Sequence, residues 1–426
     1  MKTSTEDFDH DEADSCYLAN RIARRPILAF TDNYLPGYKA GGPIRSVAHM
    51  VSLIGSEFHF QIVTSDRDLG EKHAFPGVIR NRWVQVGGAD VMYLRPGLFG
   101  ILRTIALLHS AGPETTVYLN SFFSRRSSII PILMYRLKMC RAGCVVLAPR
   151  GEFSTGALSI KPIRKELYLK FARWLQLYDH VVWQASSEFE ATDIGMQFAK
   201  AAIVPKDPNA SSELSASVST HSRVVVAPDL LITPPLHRRY RRQKMPGTLR
   251  IVFISRVSRM KNLEAAILML MDISGEIVFD IYGPIEDQGY WNNCKKLIAA
   301  LPSRVRASYM GEVEHERVAQ VLVENDIFLL PTLGENFGHV IFEALMAGCP
   351  VLISDRTPWR GLETAGVGWD IPLDEVHRFR SALQQCVDGD HEWYSQLSAR
   401  AVAYAFDRSS NPENTDANRK LFERGI

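Results

Sequence analysis

The chain has 426 residues, of which 46% are hydrophobic and 23% are charged, and its formal net charge is +2. This length predicts two or three domains, and the composition is that of a globular protein with well-formed cores. A net charge so close to zero excludes a strongly cationic nucleic-acid binder, so no nucleic-acid partner is predicted. The six cysteines are scattered along the chain, which predicts a reducing cytoplasm and no disulfide framework.

The N-terminal stretch predicts no fixed structure. Residues 1–24 are acidic and polar, and they lack the basic and apolar regions of a signal peptide. We therefore predict a disordered lead-in. No apolar run along the chain is long enough to cross a bilayer, so no transmembrane helix is expected.

Beyond the lead-in, short apolar strands alternate with amphipathic helical stretches. In the first half, strands are predicted at residues 26–30, 59–64, 91–94, 116–120, 145–148, 181–183 and 202–204. Helices are predicted between them, including 43–54 and 163–177. This alternation predicts βα units and a mostly parallel sheet.

A second alternating set follows a break in the pattern. Residues 206–221 are a polar, serine-rich loop, and the region around 228–248 is rich in proline and then basic. Strands are predicted after it at residues 250–255, 277–282, 306–309, 327–330 and 351–354.

We predict four parts beyond the lead-in. They are a first α/β domain over 25–227, a linker over 228–248, a second α/β domain over 249–390, and a helical segment over 391–426 that could cross back to the first domain. Such domains create a cleft between two sheet edges, where ligands bind preferentially.

The most informative stretch is residues 332–355, which predicts a loop, a helix over 337–345 and a strand. The helix N-terminus would lie at the carboxyl edge of the sheet, where free N–H groups and the helix dipole favour a phosphate. Glu335 lies in the loop and Glu343 on the helix, with seven residues between them. Together with Asn336 and His339, they form the predicted polar face, which could equally be an ordinary solvated helix surface.

Two cations follow the first strand of the second domain. Arg256 lies where that strand ends, and Lys261 lies near the start of the next helix. Both could reach the cleft, where two cations beside a helix N-terminus suit a diphosphate. Alone, the pair could also be two solvated surface residues.

Two loops of the first domain are further candidates. Gly41 and Gly42 follow the first strand and permit a close approach of the backbone to a ligand. Arg150 and Glu152 follow a later strand and could project into the cleft or form a buried pair. The chain has no full G-x-G-x-x-G, Walker A, G-x-S-x-G or H-E-x-x-H motif, which disfavours dinucleotide, P-loop, hydrolase and zinc-protease sites.

The sequence around Glu335 resembles a known family signature. GENFGHVIFEALMAGCPVLISD resembles the E-x7-E signature of retaining glycosyltransferases of family 4, and SRVSRMKN resembles their G-R-x4-K-N segment. The resemblance is specific over about 245–375 and looser over 26–205. It implies the GT-B fold, in which two Rossmann-like α/β domains face each other across a cleft.

The resemblance also implies roles for individual residues. Arg256 and Lys261 would hold the donor diphosphate, Glu335 would face the donor sugar, and Glu343 would take the ribose hydroxyls. The remaining donor contacts would come from Gly41, Gly42, Asn336, Phe337 and Gly338. The implied reaction needs no metal or cofactor and uses a nucleotide sugar as substrate, with a UDP- or GDP-sugar expected.

Two departures from the family pattern occur. Asn336 stands where glycine is usual after the first glutamate. Arg150 precedes Gly151 where many relatives have histidine, so Arg150 or Glu152 could take that place on the acceptor side.

The acceptor implied by the resemblance is a glycan or a polyprenyl-linked saccharide of bacterial surface polysaccharide or exopolysaccharide synthesis. Arg125 and Arg126 precede the apolar stretch 127–141, which could dock on an anionic membrane at the inner face of the plasma membrane or be an ordinary buried helix. An epimerase or phosphorylase on the same fold, and a non-catalytic sugar-nucleotide-binding protein, remain alternatives.

Overall fold

The structure is a computed structural model that describes residues 24–198, 201–203, 222–233 and 243–423. Most of the predicted lead-in, the serine-rich loop 206–221 and part of the predicted linker lie outside the described residues.

The first domain is built on a nine-stranded sheet with strand order β3-β4-β2-β1-β5-β6-β7-β9-β8. Its strands are β1 (Arg25–Phe30), β2 (Phe58–Ser65), β3 (Trp83–Val86), β4 (Ala89–Leu94), β5 (Thr116–Leu119), β6 (Cys144–Leu147), β7 (Val182–Ala185), β8 (Ala201–Ile203) and β9 (Ser222–Val226). All neighbouring strands run parallel except β3, which pairs antiparallel with β4. The central strands are apolar on both faces because helices cover both sides.

The helices of this domain are α1 (Gly42–Ile54), α2 (Leu98–Ser110), α3 (Ile130–Arg136), α4 (Thr155–Ser159), α5 (Pro162–Trp174) and α6 (Glu188–Gln197). One π-helical turn, Arg125–Ile129, leads into α3. In α3 the side chains of Ile132 and Met134 pack into the core of the domain. The apolar stretch 127–141, a candidate membrane contact in the sequence, therefore contributes in part to the core, while Leu137 and Met139 after α3 are exposed.

The second domain contains a six-stranded parallel sheet with order β12-β11-β10-β13-β14-β15. Its strands are β10 (Thr248–Ile254), β11 (Glu276–Tyr282), β12 (Val305–Gly311), β13 (Ile327–Leu330), β14 (Val351–Ser354) and β15 (Gly368–Ile371). Its helices are α7 (Leu263–Met269), α8 (Gln288–Ala299), α9 (His315–Val323), α10 (His339–Met346), α11 (Leu362–Ala365), α12 (Val376–Asp388) and α13 (His391–Ser409). A 3-10 turn, Arg259–Lys261, precedes α7.

The last two helices pack on different domains. Helix α13 buries Leu397 and Ala401 in the core of the second domain. The final helix, α14 (Pro412–Glu423), instead places Phe422 against Phe58 and Tyr118 of the first domain, with ring centroids 5.5 and 5.8 Å away. The end of the described chain therefore crosses from one domain to the other.

The prediction of two mostly parallel α/β domains is confirmed. Two kinds of local prediction were wrong, namely the list of strands and the first residue of one helix. Strands β3, β9 and β15 were not predicted. β3 and β15 are short edge strands with weak apolar patterns, whereas the apolar run of β9 directly follows the serine-rich loop and was not separated from it. Helix α10 begins at His339 and not at Phe337, since Gly338 has φ 79° and cannot continue a right-handed helix.

Candidate active site

A cleft of about 1040 Å³ separates the carboxyl edges of the two sheets. Both domains line it, with the start of α1 on one side and the start of α10 on the other. All the site residues predicted from the sequence lie on its wall, namely Gly41, Gly42, Arg150, Glu152, Arg256, Lys261, Glu335, Asn336, Phe337, Gly338 and Glu343. Their contacts, however, differ greatly.

Lys261 and Glu335 form an ion pair on the second-domain wall. The backbone brings them together, because the N–H of Leu333 donates to the carbonyl of Met260 at 2.8 Å and the side chain of Asn262 donates to the carbonyl of Pro331 at 2.9 Å. These bonds join the turn after β10 to the loop after β13. Both side chains are about nine-tenths buried, so the site holds a cation and a carboxylate in fixed positions at the cleft surface.

Glu343 forms an ion pair across the cleft with Arg45 of α1. Arg45 also donates a hydrogen bond to Nδ1 of His315 at 3.0 Å, which requires that nitrogen to be unprotonated. Burial and the charge of Arg45 lower the pKa of His315 from its ordinary value, which favours this neutral form. Among the described residues, the second carboxylate oxygen of Glu343 has no hydrogen-bond partner.

Arg256 lies on the same wall but farther out. Its guanidinium is about one-third exposed and pairs with Glu286 at 3.0 Å. An exposed pair of this kind is weak, because water screens it and both side chains lose freedom in forming it. Arg256 therefore remains free to exchange Glu286 for an incoming anion.

The glycine loop and the start of α10 meet face to face. Gly41 has φ 66° immediately before α1, and a side-chain carbon on Gly42 would lie 3.4 Å from the His339 ring. In the opposing loop, the indole N–H of Trp359 donates to the carbonyl of Phe337 at 2.6 Å. The glycine loop thus lies close to His339, and Trp359 fixes the loop that leads into α10.

Asn336, which stands where the family pattern has glycine, contacts the first domain. Its side-chain oxygen accepts a hydrogen bond from the Ser186 hydroxyl at 3.0 Å. A side-chain carbon added to Gly151 would lie only 2.9 Å from Cβ of Asn336. The departure at Asn336 thus adds a polar contact between domains and requires a glycine opposite it.

Arg150 is buried and fully engaged. It adopts φ 56° and forms an ion pair with Asp229. It also donates to the side-chain oxygen of Asn120 at 2.7 Å and to the hydroxyl of Tyr118 at 2.6 Å. In this structure its guanidinium braces the cleft floor and does not project into the cleft.

Asp229 joins three elements at the domain boundary. Besides pairing with Arg150, it accepts a hydrogen bond from the Ser46 hydroxyl at 2.6 Å and lies 3.3 Å from Nε2 of His339. Burial raises the pKa of the Asp229 carboxyl, but Arg150 and His339 lower it more, so its pKa lies well below the usual range. His339 is itself buried, so the alternative interpretation of the predicted polar face as an ordinary solvated surface does not hold at this residue.

Glu152 binds a neighbouring loop of the first domain. Its carboxylate accepts hydrogen bonds from the backbone N–H groups of Phe122 and Phe123 at 2.7 and 2.9 Å, and from the Ser121 hydroxyl at 2.8 Å. Burial raises the pKa of Glu152, and these bonds oppose the shift. Of the two alternatives left open by the sequence, the buried arrangement is the closer one: Glu152 borders the cleft, but its oxygens bind the neighbouring loop and not an Arg150 partner.

His49 makes the domain boundary sensitive to acid. Its Nδ1 bonds the Leu230 carbonyl at 2.9 Å, and burial together with nearby His339 lowers the pKa of His49 to about 4. The unfolded chain therefore binds a proton more readily, and stability should fall as the pH drops from about 6.5 to about 4. We expect His49→Gln to flatten this fall in thermal unfolding experiments. The exposed His377→Gln should keep the wild-type slope, and a slope unchanged in His49→Gln would contradict the assignment.

The sequence did not identify Arg45, Ser46 and Asp229, which contact Glu343 and His339 of the second domain. Arg45 and Ser46 follow the glycine loop directly on α1, and that position was a usable signal because a helix start after a strand faces the cleft. Asp229 had no such signal, since it lies in a proline-bearing stretch that was assigned to the linker.

The architecture defines a class of protein. Two Rossmann-like domains with parallel sheets face each other across a cleft, and the last helix returns to the first domain. This is the GT-B fold.

The match to known sequences lies in the second domain. Residues 239–404 match the family model described as "Glycosyl transferases group 1". Two curated relatives are phosphatidyl-myo-inositol mannosyltransferases. The one from Mycolicibacterium smegmatis is 32% identical over 102 residues, covering 24% of this chain and 25% of the relative. The one from Mycobacterium leprae is 32% identical over 98 residues, covering 22% and 26%. The chain thus spans about a quarter of the length of the curated relatives it matches.

Solved structures are similar over nearly the whole chain. Sucrose-phosphate synthase from Thermosynechococcus elongatus aligns with a TM-score of 0.67 and 15% identity, covering 94% of this chain and 99% of that one. Anabaena HepE in complex with UDP and glucose aligns with a TM-score of 0.63 and 14% identity over the same shares. Trehalose-6-phosphate synthase OtsA aligns with a TM-score of 0.64 and 11% identity, again over 94% and 99%. At these identities the likeness shows the fold.

Proposed function

We propose that this protein is a retaining glycosyltransferase that moves a sugar from a UDP- or GDP-sugar to a glycan or polyprenyl-linked acceptor. The observation that carries the proposal is the arrangement of Lys261, Glu335 and Glu343 around the start of α10, in a cleft between two domains. The glycosyltransferase group 1 match over residues 239–404 supports it independently.

The chemical requirement is to stabilise a leaving diphosphate. Negative charge grows on it as the bond to the sugar breaks, and preorganised cations and N–H groups lower the free energy of that state. Lys261 supplies a fixed cation, Arg256 supplies one that is only weakly paired, and the start of α10 supplies free N–H groups. No step in this proposal requires a metal ion.

The two glutamates suit the two hydroxyl-bearing parts of the donor. Carboxylates accept paired hydrogen bonds from neighbouring hydroxyl groups. We assign the sugar to Glu335 and the ribose to Glu343, whose second oxygen has no partner among the described residues. Neither Glu335 nor Glu343 is assigned as a nucleophile, so we propose substitution from the same face, with the leaving phosphate taking the acceptor's proton.

The solved relatives bear on the choice of donor. The HepE structures contain UDP, UDP-glucose or UDP with glucose, and a structure described as trehalose-6-phosphate from E. coli contains UDP-2-fluoro glucose. These neighbours favour a UDP-sugar over a GDP-sugar. We do not take the acceptor from these neighbours. We propose a glycan or polyprenyl-linked saccharide of bacterial surface polysaccharide or exopolysaccharide synthesis, used at the cytoplasmic face of the plasma membrane.

The experiment is a panel of UDP-, GDP- and ADP-sugars tested by thermal shift, followed by analysis of donor turnover. A donor present at 100 times its dissociation constant should stabilise the native protein by about 2.7 kcal/mol. The anomeric configuration of the released or transferred sugar, followed by NMR, tests retention. Inversion would contradict the retaining mechanism. Binding without any hydrolysis or transfer would favour the non-catalytic alternative, and an altered sugar left on the nucleotide would indicate an epimerase.

A further inference from the structure

Helix α5 exposes most of its apolar side chains to solvent. Ile163, Leu167 and Trp174 are 81%, 69% and 77% exposed. Ile160 just before the helix and Phe171 within it are also about half exposed. We call these five residues the apolar stripe. Isolated exposed apolar residues are ordinary, but a continuous row on one helix marks a binding surface.

Helical geometry places the stripe on one side of α5. At 3.6 residues per turn, Ile163, Leu167, Phe171 and Trp174 fall within an arc of about 80°, and they extend over about 16 Å. The only buried residues of α5 are Leu169 and Ala172, which lie on the opposite side. Leu169 and Ala172 pack into the core of the first domain. The residues of the apolar stripe do not, so burial in that core does not explain why they are apolar.

Cations border the stripe on both sides. By the same geometry, Arg164 lies along one edge, and Lys170 and Arg173 lie along the other. Lys161 precedes the helix, and all four cations are exposed. The exposed Glu166 pairs with Lys170 at 2.8 Å and is the only carboxylate between residues 160 and 175. The segment 160–175 therefore presents four exposed cations and one exposed carboxylate, although the whole chain is nearly neutral.

We infer that α5 docks the protein on an anionic lipid bilayer. A helix lying in the interface inserts its apolar side among the acyl chains and keeps its cations at the headgroups. Tryptophan favours this depth because its ring is apolar and its N–H is polar, and each lysine or arginine near an anionic surface adds attraction. A protein partner would have to match an apolar row and its cationic borders, whereas a bilayer fits both without further specificity.

The location of α5 connects this surface to the cleft. Ile160 and Lys161 at the start of the stripe line the cleft mouth, and so does Lys165 of α5. Lys165 is held there, since it donates to the Ala157 carbonyl at 2.7 Å. A bilayer bound along α5 would bring membrane-borne acceptors to the opening of the site. This consequence for the acceptor rests on the proposed function, whereas the binding of lipid does not.

The test is co-sedimentation of the full chain with vesicles of phosphatidylcholine, with and without phosphatidylglycerol. We expect binding to the anionic vesicles and little to the neutral ones. The double variant Ile163→Ser and Trp174→Ser should weaken the partition coefficient by about tenfold for each side chain removed. Reversing two border charges with Arg164→Glu and Arg173→Glu should weaken it by at least about fivefold per cation.

Matched controls come from the second domain. Met310 and Phe406 are 51% and 49% exposed, so Met310→Ser with Phe406→Ser removes two exposed apolar side chains away from α5 and should bind like wild type. Lys295→Glu with Lys296→Glu reverses two exposed charges on α8 and should have a much smaller effect. All changes are on the surface, and thermal unfolding checks that each variant is folded.

Three results would overturn the inference. They are no binding of the wild type to anionic vesicles, undiminished binding by the Ile163/Trp174 variant, and a dimer in solution that this variant abolishes, which would make the stripe an interface between copies. Donor turnover is measured separately on the same samples. Lipid binding without donor turnover would leave this inference intact and contradict the proposed function. Donor turnover without lipid binding would support the proposed function and contradict this inference.

Discussion

Purified Lys261→Ala and Glu335→Ala are each expected to transfer sugar at least about 100-fold more slowly than wild type. Glu335 holds Lys261 in place through their ion pair. In the proposed mechanism Lys261 stabilises the leaving diphosphate, and Glu335 faces the donor sugar. Initial rates at saturating donor measure the effect. A loss in the turnover number with little change in apparent donor affinity would indicate that the contacts strengthen in the transition state.

Removing either residue leaves the other without its partner, so folding must be checked. Glu335→Gln keeps the shape of the side chain and removes only its charge, and it should also be slow. Lys296→Ala removes an exposed lysine of the same domain and should retain wild-type turnover. Near-normal transfer by folded Lys261→Ala or Glu335→Ala would remove that residue from the proposed mechanism.

Arg150→Ala and Asp229→Ala are each expected to lower the free energy of unfolding by about 3–5 kcal/mol, because each leaves an uncompensated buried charge. The side chains of Arg150 and Asp229 are only 5% and 2% exposed. Denaturant unfolding measures the change. The double variant Arg150→Met with Asp229→Leu removes both charges, so it should lose clearly less than the sum of the two single losses.

The first domain offers an exposed pair for comparison. Arg419 of α14 and Glu57 form an ion pair at 2.6 Å, with side chains about one-third exposed. Arg419→Ala should cost no more than about 1 kcal/mol, because water already solvates both groups. If Asp229→Ala were as mild as Arg419→Ala, the buried cluster would not be what braces the cleft floor.

Much of the architecture followed from local patterns. Alternation of apolar strands and amphipathic helices predicted both parallel sheets, since the central strands must be apolar on both faces. The same patterns were weaker for β3 and β15, which lie at sheet edges. Glu335, Glu343 and Lys261 could be predicted as site candidates because each follows the carboxyl end of a parallel strand, where side chains converge.

The partners of those residues could not be predicted in the same way. Nothing in the local sequence links Arg45 to Glu343 or Asp229 to Arg150, because each pair joins segments that are far apart in the chain. Glu152 resembled a cleft residue by position, yet its carboxylate turns toward the backbone of a neighbouring loop. Side-chain direction depends on which donors the fold brings near, and that is a tertiary property.

The sequence by itself determined the two α/β domains, the cleft between them and the residues of the second domain that line it. The reason is that strand and helix periodicity and the carboxyl-edge position are local properties of the chain. Only the tertiary structure decided that Arg150 and Glu152 brace the cleft, that α10 begins at His339, and that the apolar row of α5 faces outward. An amphipathic pattern specifies that a helix has an apolar side, but packing alone decides whether that side meets a core or remains exposed.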